Sequence, residues 1–438
     1  MPTPQTNRKL SLLQATAINM IDMVGIGPFV VMPLVVGYFD NGLFIWAWIF
    51  GAVTALIDGM IWSELGAKYP QAGGTYNFHR IAYGEKGGKL MSFLFVWQTS
   101  IQAPLVVASA SIGFAQYLTY ITDLNLWQQK LVSGALVLFV LFLLYRKIET
   151  VGKISLVLGS IVLLTIIWII FSGLTHQQHS VPLIPKGTDS FFSFAFWAAV
   201  ANGSLKTVYS YLGYYNVCHL GGEIKKPETN IPRSIFISIF GIAILYLLMN
   251  ISVMGVIPWQ EAGKMDKYLV SGFMENIYGY KAAVIVTVLI LFIAMSSLFA
   301  VVLGYSRVPY AAAVDGNFFK VFGKLHPTKE FPHISLLVLC GLGFIFSLLF
   351  KLSEVITAIL AMRIVVQFMA QTAGVVLLRK RNGTRTLPFK MLLYPIPVIL
   401  NLIIWAFLLY HTGWYAVWGA AIAIIGVFVY YLSHPVKK

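Results

Sequence analysis

Charge is scarce in this sequence. Asp and Glu number 16 and Lys and Arg 31 among 438 residues, together 11%, against a hydrophobic fraction of 58%. That is not the composition of a soluble globular protein. Cysteine is nearly absent: Cys218 and Cys340 both fall in or at the end of apolar stretches, which argues against a disulfide and for small buried residues. The chain has no nucleophile elbow, no HExxH pair and no phosphate-binding glycine loop. Its eight histidines are scattered. His176 and His179 have a spacing that could grip a metal but no Cys or acidic partner beside them, so no metal, no cofactor and no enzymatic activity are expected. A cleavable signal peptide is not expected either. The first apolar run is far longer than a signal core, and no small-residue cleavage site follows it.

Long hydrophobic runs are what the sequence does have. In windows of about 19 residues it gives twelve apolar segments: 11–38, 42–65, 89–121, 127–145, 151–174, 191–220, 234–257, 281–310, 334–350, 353–378, 392–411 and 414–433. They are too long and too evenly apolar to be barrel strands, which alternate. The fold class is therefore an all-α polytopic membrane protein with twelve transmembrane helices, the third long enough to tilt or protrude. Residues 1–438 are expected to form a single domain, because the longest connections, 258–280 and 307–332, are too short for a soluble module.

The net charge of +15 raises nucleic acid as a partner, but its distribution argues otherwise. With the N-terminus placed inside, 23 of the 31 Lys and Arg fall on the same side, including the Arg379–Lys390 run and the C-terminal lysines. Six fall outside: Lys130, Lys186, Lys264, Lys267, Lys281 and Lys351. This positive-inside bias predicts cytoplasmic termini in a cell membrane, inner or plasma, with anionic lipid as the partner of the basic charge and no role for nucleic acid.

The first apolar run carries a helix breaker, Gly25-Ile26-Gly27-Pro28. Pro28 has no amide hydrogen and its ring clashes with the preceding turn, while the glycines make unwinding easier. Freed backbone groups facing lipid would cost several kcal/mol each, so such a break belongs beside a cavity or a ligand. A second interruption, Tyr209-Ser210-Tyr211-Leu212-Gly213-Tyr214, lies in segment six. Segments one and six are five helices apart. Five is odd, so the halves face opposite ways: a 5+5 inverted repeat, 11–174 and 191–378, followed by helices 11 and 12 in 392–433. Paired interruptions of this kind mark a transporter binding site near mid-bilayer.

The motifs then support a family. Gly25-Ile26-Gly27-Pro28-Phe29 with Pro33, the stretch Glu64-Leu65 through Pro70-Gln71-Ala72-Gly73-Gly74-Thr75-Tyr76, and Tyr211-Leu212-Gly213-Tyr214 come first. Glu223-Ile224-Lys225-Lys226-Pro227 through Ile231-Pro232, then Asp315-Gly316, then Pro388-Phe389-Lys390 follow in order. Together the six strings resemble the amino acid–polyamine–organocation superfamily, with its LeuT-type fold, over nearly the whole chain.

The resemblance implies a substrate held between the half-helix ends of helices 1 and 6. The carboxylate would meet free amides at Ile26, Gly27 and Phe29, while carbonyls near Tyr209 and Tyr211 would face the ammonium. The chain departs from the pattern in two places: Ile26 replaces the usual serine, and Pro28 removes one amide. Gly25, Ile26, Gly27, Phe29, Gln102, Tyr209, Tyr211 and Gly213 are the expected substrate-binding residues, with Tyr209 as an aromatic gate and Gln102 in the side-chain subsite. Ser296 and Ser297 sit near where sodium-coupled members of the fold place an ion, with interhelical bonding as their other reading. Intramembrane charges are expensive and usually functional. Asp22, Asp58, Lys206 and Arg363 are therefore candidates for proton coupling, for meeting an anionic group, or for a structural ion-pair network. The lysine that some proton-coupled relatives carry midway along helix 5 is absent here.

The expectation is a secondary active transporter of neutral amino acids, by proton symport or exchange. The alternative is a polyamine or organocation symporter; a channel and an intramembrane enzyme are remote. The tyrosines at 209, 211, 214 and 215 suit a mostly uncharged side chain. A polycation would want more acids than Asp22 and Asp58, and Lys206, if it points inward, repels a second positive charge.

Overall fold

The computed structural model describes residues 8–184, 193–265 and 268–433. Lys186, Lys267 and the two C-terminal lysines used in the charge count lie outside them. The described residues form an all-α bundle without strands; only isolated bridges, Leu10 with Ile224 and Ala72 with Leu220, break the helical pattern.

The elements follow in chain order. The first apolar run is α1 (Leu12–Met23) and α2 (Gly27–Val36); α3 is Ile45–Lys68, α4 Thr75–Ala82, α5 Gly84–Leu118, α6 Leu126–Leu144 and α7 Ile148–Thr175. The sixth run is α8 (Phe194–Tyr211) and the short α9 (Asn216–His219), followed by α10 (Pro227–Met254). Then come α11 (Trp259–Ala262), α12 (Leu269–Tyr278), α13 (Tyr280–Tyr305), α14 (Arg307–Val314), α15 (His333–Leu349) and α16 (Leu352–Arg363). A π-helical turn, Ile364–Met369, joins α16 to α17 (Ala370–Asn382); α18 (Ile396–His411) and α19 (Trp414–Ser433) end the chain. Among the described residues eight helices are long and apolar enough to cross a membrane, or nine when the bent pair α1 and α2 counts as one span; α15 and α18 are shorter apolar helices.

Local chemistry sets several boundaries. Ser11 starts α1 with a capping box, its hydroxyl accepting from the Gln14 amide and the Gln14 side chain accepting from the Ser11 amide. Asn125 and Gln128 do the same at α6. The long α5 runs 35 residues through Pro104, about 52 Å at 1.5 Å per residue, so it outreaches a hydrocarbon core of about 30 Å.

The first break falls at residues 24–26, where expected, and bends the run by 46°. The second falls at residues 212–215, around the expected Gly213. The helix continues through Tyr211; Leu212 turns extended (ψ 148°) and Gly213 takes a φ of +123°, which only glycine adopts without strain. Glycine, not the aromatic cluster, sets where α8 stops.

Two groups of helices pack around this centre. The helices α1, α3 and α8 pack on α10, and α3 also packs on α8, with α3 against α10 as the most extensive contact. The helix α5 packs on α13, α15 and α16, and α15 also packs on α6. Buried ion pairs tie the motif loops down. Glu64 holds Arg379 in a two-point pair, with Nε at 2.7 Å, and also accepts the Met391 amide at 2.8 Å. Glu223 accepts the Arg307 Nε at 3.2 Å, and its carbonyl takes the Lys9 and Leu10 amides at 2.9 Å. Cys218 and Cys340 are buried free thiols.

Candidate functional site

The two breaks meet. Gly213 lies flat against the end of α1: a Cβ there would sit 2.7 Å from the Met23 nitrogen and 2.8 Å from the Asp22 carbonyl carbon. The Tyr246 hydroxyl, on α10, donates in a bifurcated bond to the carbonyls of Met23 (2.9 Å) and Ser210 (3.3 Å), in the last turns before the two breaks. Asn216, just past the second break, donates to Asp22 Oδ2 at 2.8 Å and to the Ala300 carbonyl at 2.7 Å. Asn19 accepts the Val217 amide at 2.9 Å. Helix ends that would leave orphaned groups are thus partly satisfied by side chains of their neighbours.

A cavity of about 60 Å³ opens where the breaks face α5, α13 and α16. Gly25, Ile26, Gly27 and Pro28 line it from the first break, Ser210, Leu212 and Gly213 from the second. Val106 and Ala110 come from α5, Ser297 and Tyr305 from α13, and Ile359 and Arg363 from α16. Ser297 donates to the Asp22 carbonyl at 3.2 Å, an interhelical bond, while Ser296 bonds within its own helix to the Phe292 carbonyl. Tyr209 forms one wall. Its ring lies 3.4 Å from where a Cβ on Gly27 would be, its hydroxyl pairs with the Ser109 Oγ at 3.1 Å, and Leu105, Ile359, Ile356 and Phe346 pack around it.

Both charges on the wall are opposed rather than paired. Asp22 is half-buried and takes one side-chain donor, Asn216. Arg363 is only 3% exposed. Its two Nη groups donate to the hydroxyls of Tyr215 and Tyr305, and the guanidinium lies 5.9 Å and 5.2 Å from the centres of those rings. Its Nε finds no partner. The three ion pairs among the described residues involve neither group. The π-helical turn begins just after Arg363. The carbonyls that such a turn frees are taken by side chains: Met362 by Gln98, Val366 by His79 at 2.7 Å, and Ala370 by Tyr83 at 2.6 Å.

Of the residues singled out from sequence, Gly25, Ile26, Gly27, Tyr209, Gly213, Asp22 and Arg363 come together here. Five do not. Gln102 is buried away from the cavity, because the α5 residues that face it, Val106 and Ala110, lie one and two turns further on. Tyr211 turns inward against Trp48 and Tyr246. Phe29 is fully buried, and its amide is used by the Ile26 carbonyl at 3.2 Å. Lys206 is half-buried on α8, outside the cavity lining, so the cation at the cavity is Arg363 rather than Lys206. Asp58 is held elsewhere by four neutral donors: Trp62 at 2.8 Å, Tyr214 at 2.6 Å, Asn401 at 2.9 Å and Trp405 at 3.3 Å. Sequence reasoning missed Tyr246, Asn216 and Tyr305, which carry no signal until the helices that bring them are placed.

The family model for amino acid permeases matches residues 10–430. Among curated proteins of Bacillus subtilis, the chain is 25% identical to a serine/threonine exchanger, over 90% of this chain and 88% of that protein. It is 22% identical to a branched-chain amino acid permease over 97% and 92% of the two chains, and 24% identical to an aspartate–proton symporter over 90% and 78%.

Proposed function

The chain belongs to the amino acid permease family of the amino acid–polyamine–organocation superfamily, and from that premise we propose that it carries neutral amino acids across a cell membrane by alternating access, in proton symport or exchange. Amino acid transport is the activity its relatives share; the relatives' names cover hydroxylated, branched and acidic cargo, so the neutral class is our reading of this cavity. The observation that carries it is the meeting of two broken helices at a cavity that holds one acid and one guanidinium. The wall sums to no net charge, which matches a zwitterion. A polyamine would bring further positive charge beside Arg363. At about 4 Å and an effective dielectric near 20, that repulsion is on the order of 4 kcal/mol.

The cavity has room for only a few water molecules, so cargo must part its walls. We read the packing as a moving bundle (α1 with α2, α3, α8 with α9, α10) against a scaffold (α5, α6, α13, α15). Twelve spans form two inverted five-helix repeats, 11–174 and 191–378, followed by helices in 392–433, with both termini cytoplasmic. The packing of α3 on α10, α5 on α13 and α6 on α15 supports this, since each pairs a helix with its repeat counterpart. Asp22 is the candidate proton carrier, being the acid that faces the cavity.

Uptake by proteoliposomes tests the reading. Alanine, serine, leucine, aspartate, arginine, putrescine and spermidine would each be offered with and without an inward proton gradient. Neutral amino acids should accumulate and should not be displaced by spermidine. Accumulation of spermidine in preference to every amino acid would reject the substrate class.

A further inference from the structure

We infer that Arg363 recognises the carboxylate of the cargo directly, with the cargo ammonium toward Asp22; this rests on the transport reading above and names the group that reads the substrate. The guanidinium is buried on the cavity wall, and among the described residues its five N–H donors find two partners, the Tyr215 and Tyr305 hydroxyls. The Nε donor is buried and unsatisfied. A guanidinium out of water without an anion is costly, and its fork fits a carboxylate at two points, through Nε and one Nη.

The backbone gives a second reason. An amide clamp at the first break is short of donors: Pro28 has none, and the Phe29 amide is spent on the Ile26 carbonyl. Ile26 and Gly27 remain. A carboxylate has about four lone-pair sites, so two amides leave it undersupplied, and Arg363 lines the same cavity with donors free.

Position supports the assignment. Arg363 ends α16 immediately before the π-helical turn, where His79 holds the Val366 carbonyl, Tyr83 the Ala370 carbonyl just after the turn and Gln98 the Met362 carbonyl just before it. One of its own anchors, Tyr215, belongs to the second break. The guanidinium is thus presented from a fixed element and touches a mobile one. Asp22 lies on the same wall, unpaired with it, at the end of α1. Opposite charges that share one cavity without pairing are complementary to a molecule that carries both.

The test uses the purified full-length protein, with binding of L-alanine and L-leucine compared with binding of their carboxamides. Wild type should prefer the acid to the amide on the order of 10- to 100-fold. In Arg363→Gln the acid should weaken by that factor while the amide changes little, so the ratio falls toward one. Arg363→Lys, which keeps the charge and loses the fork, should fall between. Should neither variant fold, Tyr215→Phe and Tyr305→Phe, which each release one guanidinium N–H, must shift the same ratio. Equal binding of acid and amide by wild type overturns the inference, as does a ratio that these substitutions leave unchanged. Wild type that binds no amino acid at all would instead reject the transport reading.

Discussion

Asp22 and Asp58 are both carboxylates inside apolar helices, yet their surroundings could hardly differ more. Asp58 is 1% exposed and receives four donors, two on each oxygen: Trp62 and Tyr214 on Oδ2, Asn401 and Trp405 on Oδ1. The ring of one of these, Trp405, stacks on Phe368 at 4.0 Å. No cavity adjoins it in the lining described above, and no cation is needed to hold it. Asp22 takes one side-chain donor and faces a cavity that also holds Arg363. Both acids lie inside apolar helices, so that placement does not separate structure from function. Satisfaction does: a fully bonded buried polar group fixes packing, and a partly bonded one is free for a ligand or a proton.

Substitutions can break or sharpen that contrast. The largest effect should come from Gly213→Ala, at the open site. A methyl group would meet the backbone of Asp22 and Met23 at a φ of +123°, so the two breaks must separate. A loss of about 3 kcal/mol or more and loss of uptake are expected, read as melting temperature and proteoliposome transport. Gly383→Ala is the control. It shares a positive φ but has open space around it, and should cost about 1–3 kcal/mol while leaving uptake per folded molecule intact.

The two acids themselves come next. Asp22→Asn should keep its bond to Asn216 and its stability within about 1 kcal/mol. Its gradient-driven uptake should drop at least about tenfold, and more than its counterflow exchange. Asp58→Asn reverses the pattern. An amide would aim its own hydrogens at a ring of donors, so stability should fall by about 1–3 kcal/mol, while transport per folded molecule is retained. If both acids give the same profile, the distinction drawn from their hydrogen bonds is wrong. The smallest effect should come from Trp405→Phe, which removes one donor of four and keeps the stack on Phe368. A loss of about 0.5–1.5 kcal/mol without a change in uptake is expected, by thermal melting of the purified protein.

The same contrast explains what could be read from the sequence. The first break was legible because Gly25, Gly27 and Pro28 act locally: their conformational demands do not depend on the rest of the fold. The second was legible through Gly213, while the flanking tyrosines carry no boundary signal of their own. The apolar runs were legible for the same reason, as hydropathy is a local property. Partnerships were not. Asn401 and Trp405 lie more than three hundred residues from Asp58 in sequence, and nothing local marks them as its donors. Gln102 shares the face of α5 that carries Val106 and Ala110 but lies one turn along the axis from the cavity lining, and periodicity fixes a face, not a depth. Lys206 and Arg363 looked alike as intramembrane cations; only packing shows that α16, and not that part of α8, turns its cation into the cavity.

Cargo is expected to sit between the two breaks, its charges divided between Asp22 and Arg363. An experimental structure of the protein in a lipid nanodisc, determined at saturating L-alanine and again without it, tests this most directly. The account predicts ligand density bounded by Gly25–Gly27 and Gly213, with a carboxylate on the Arg363 guanidinium. Density at another site, or a bound amino acid whose carboxylate leaves Arg363 untouched, would contradict it.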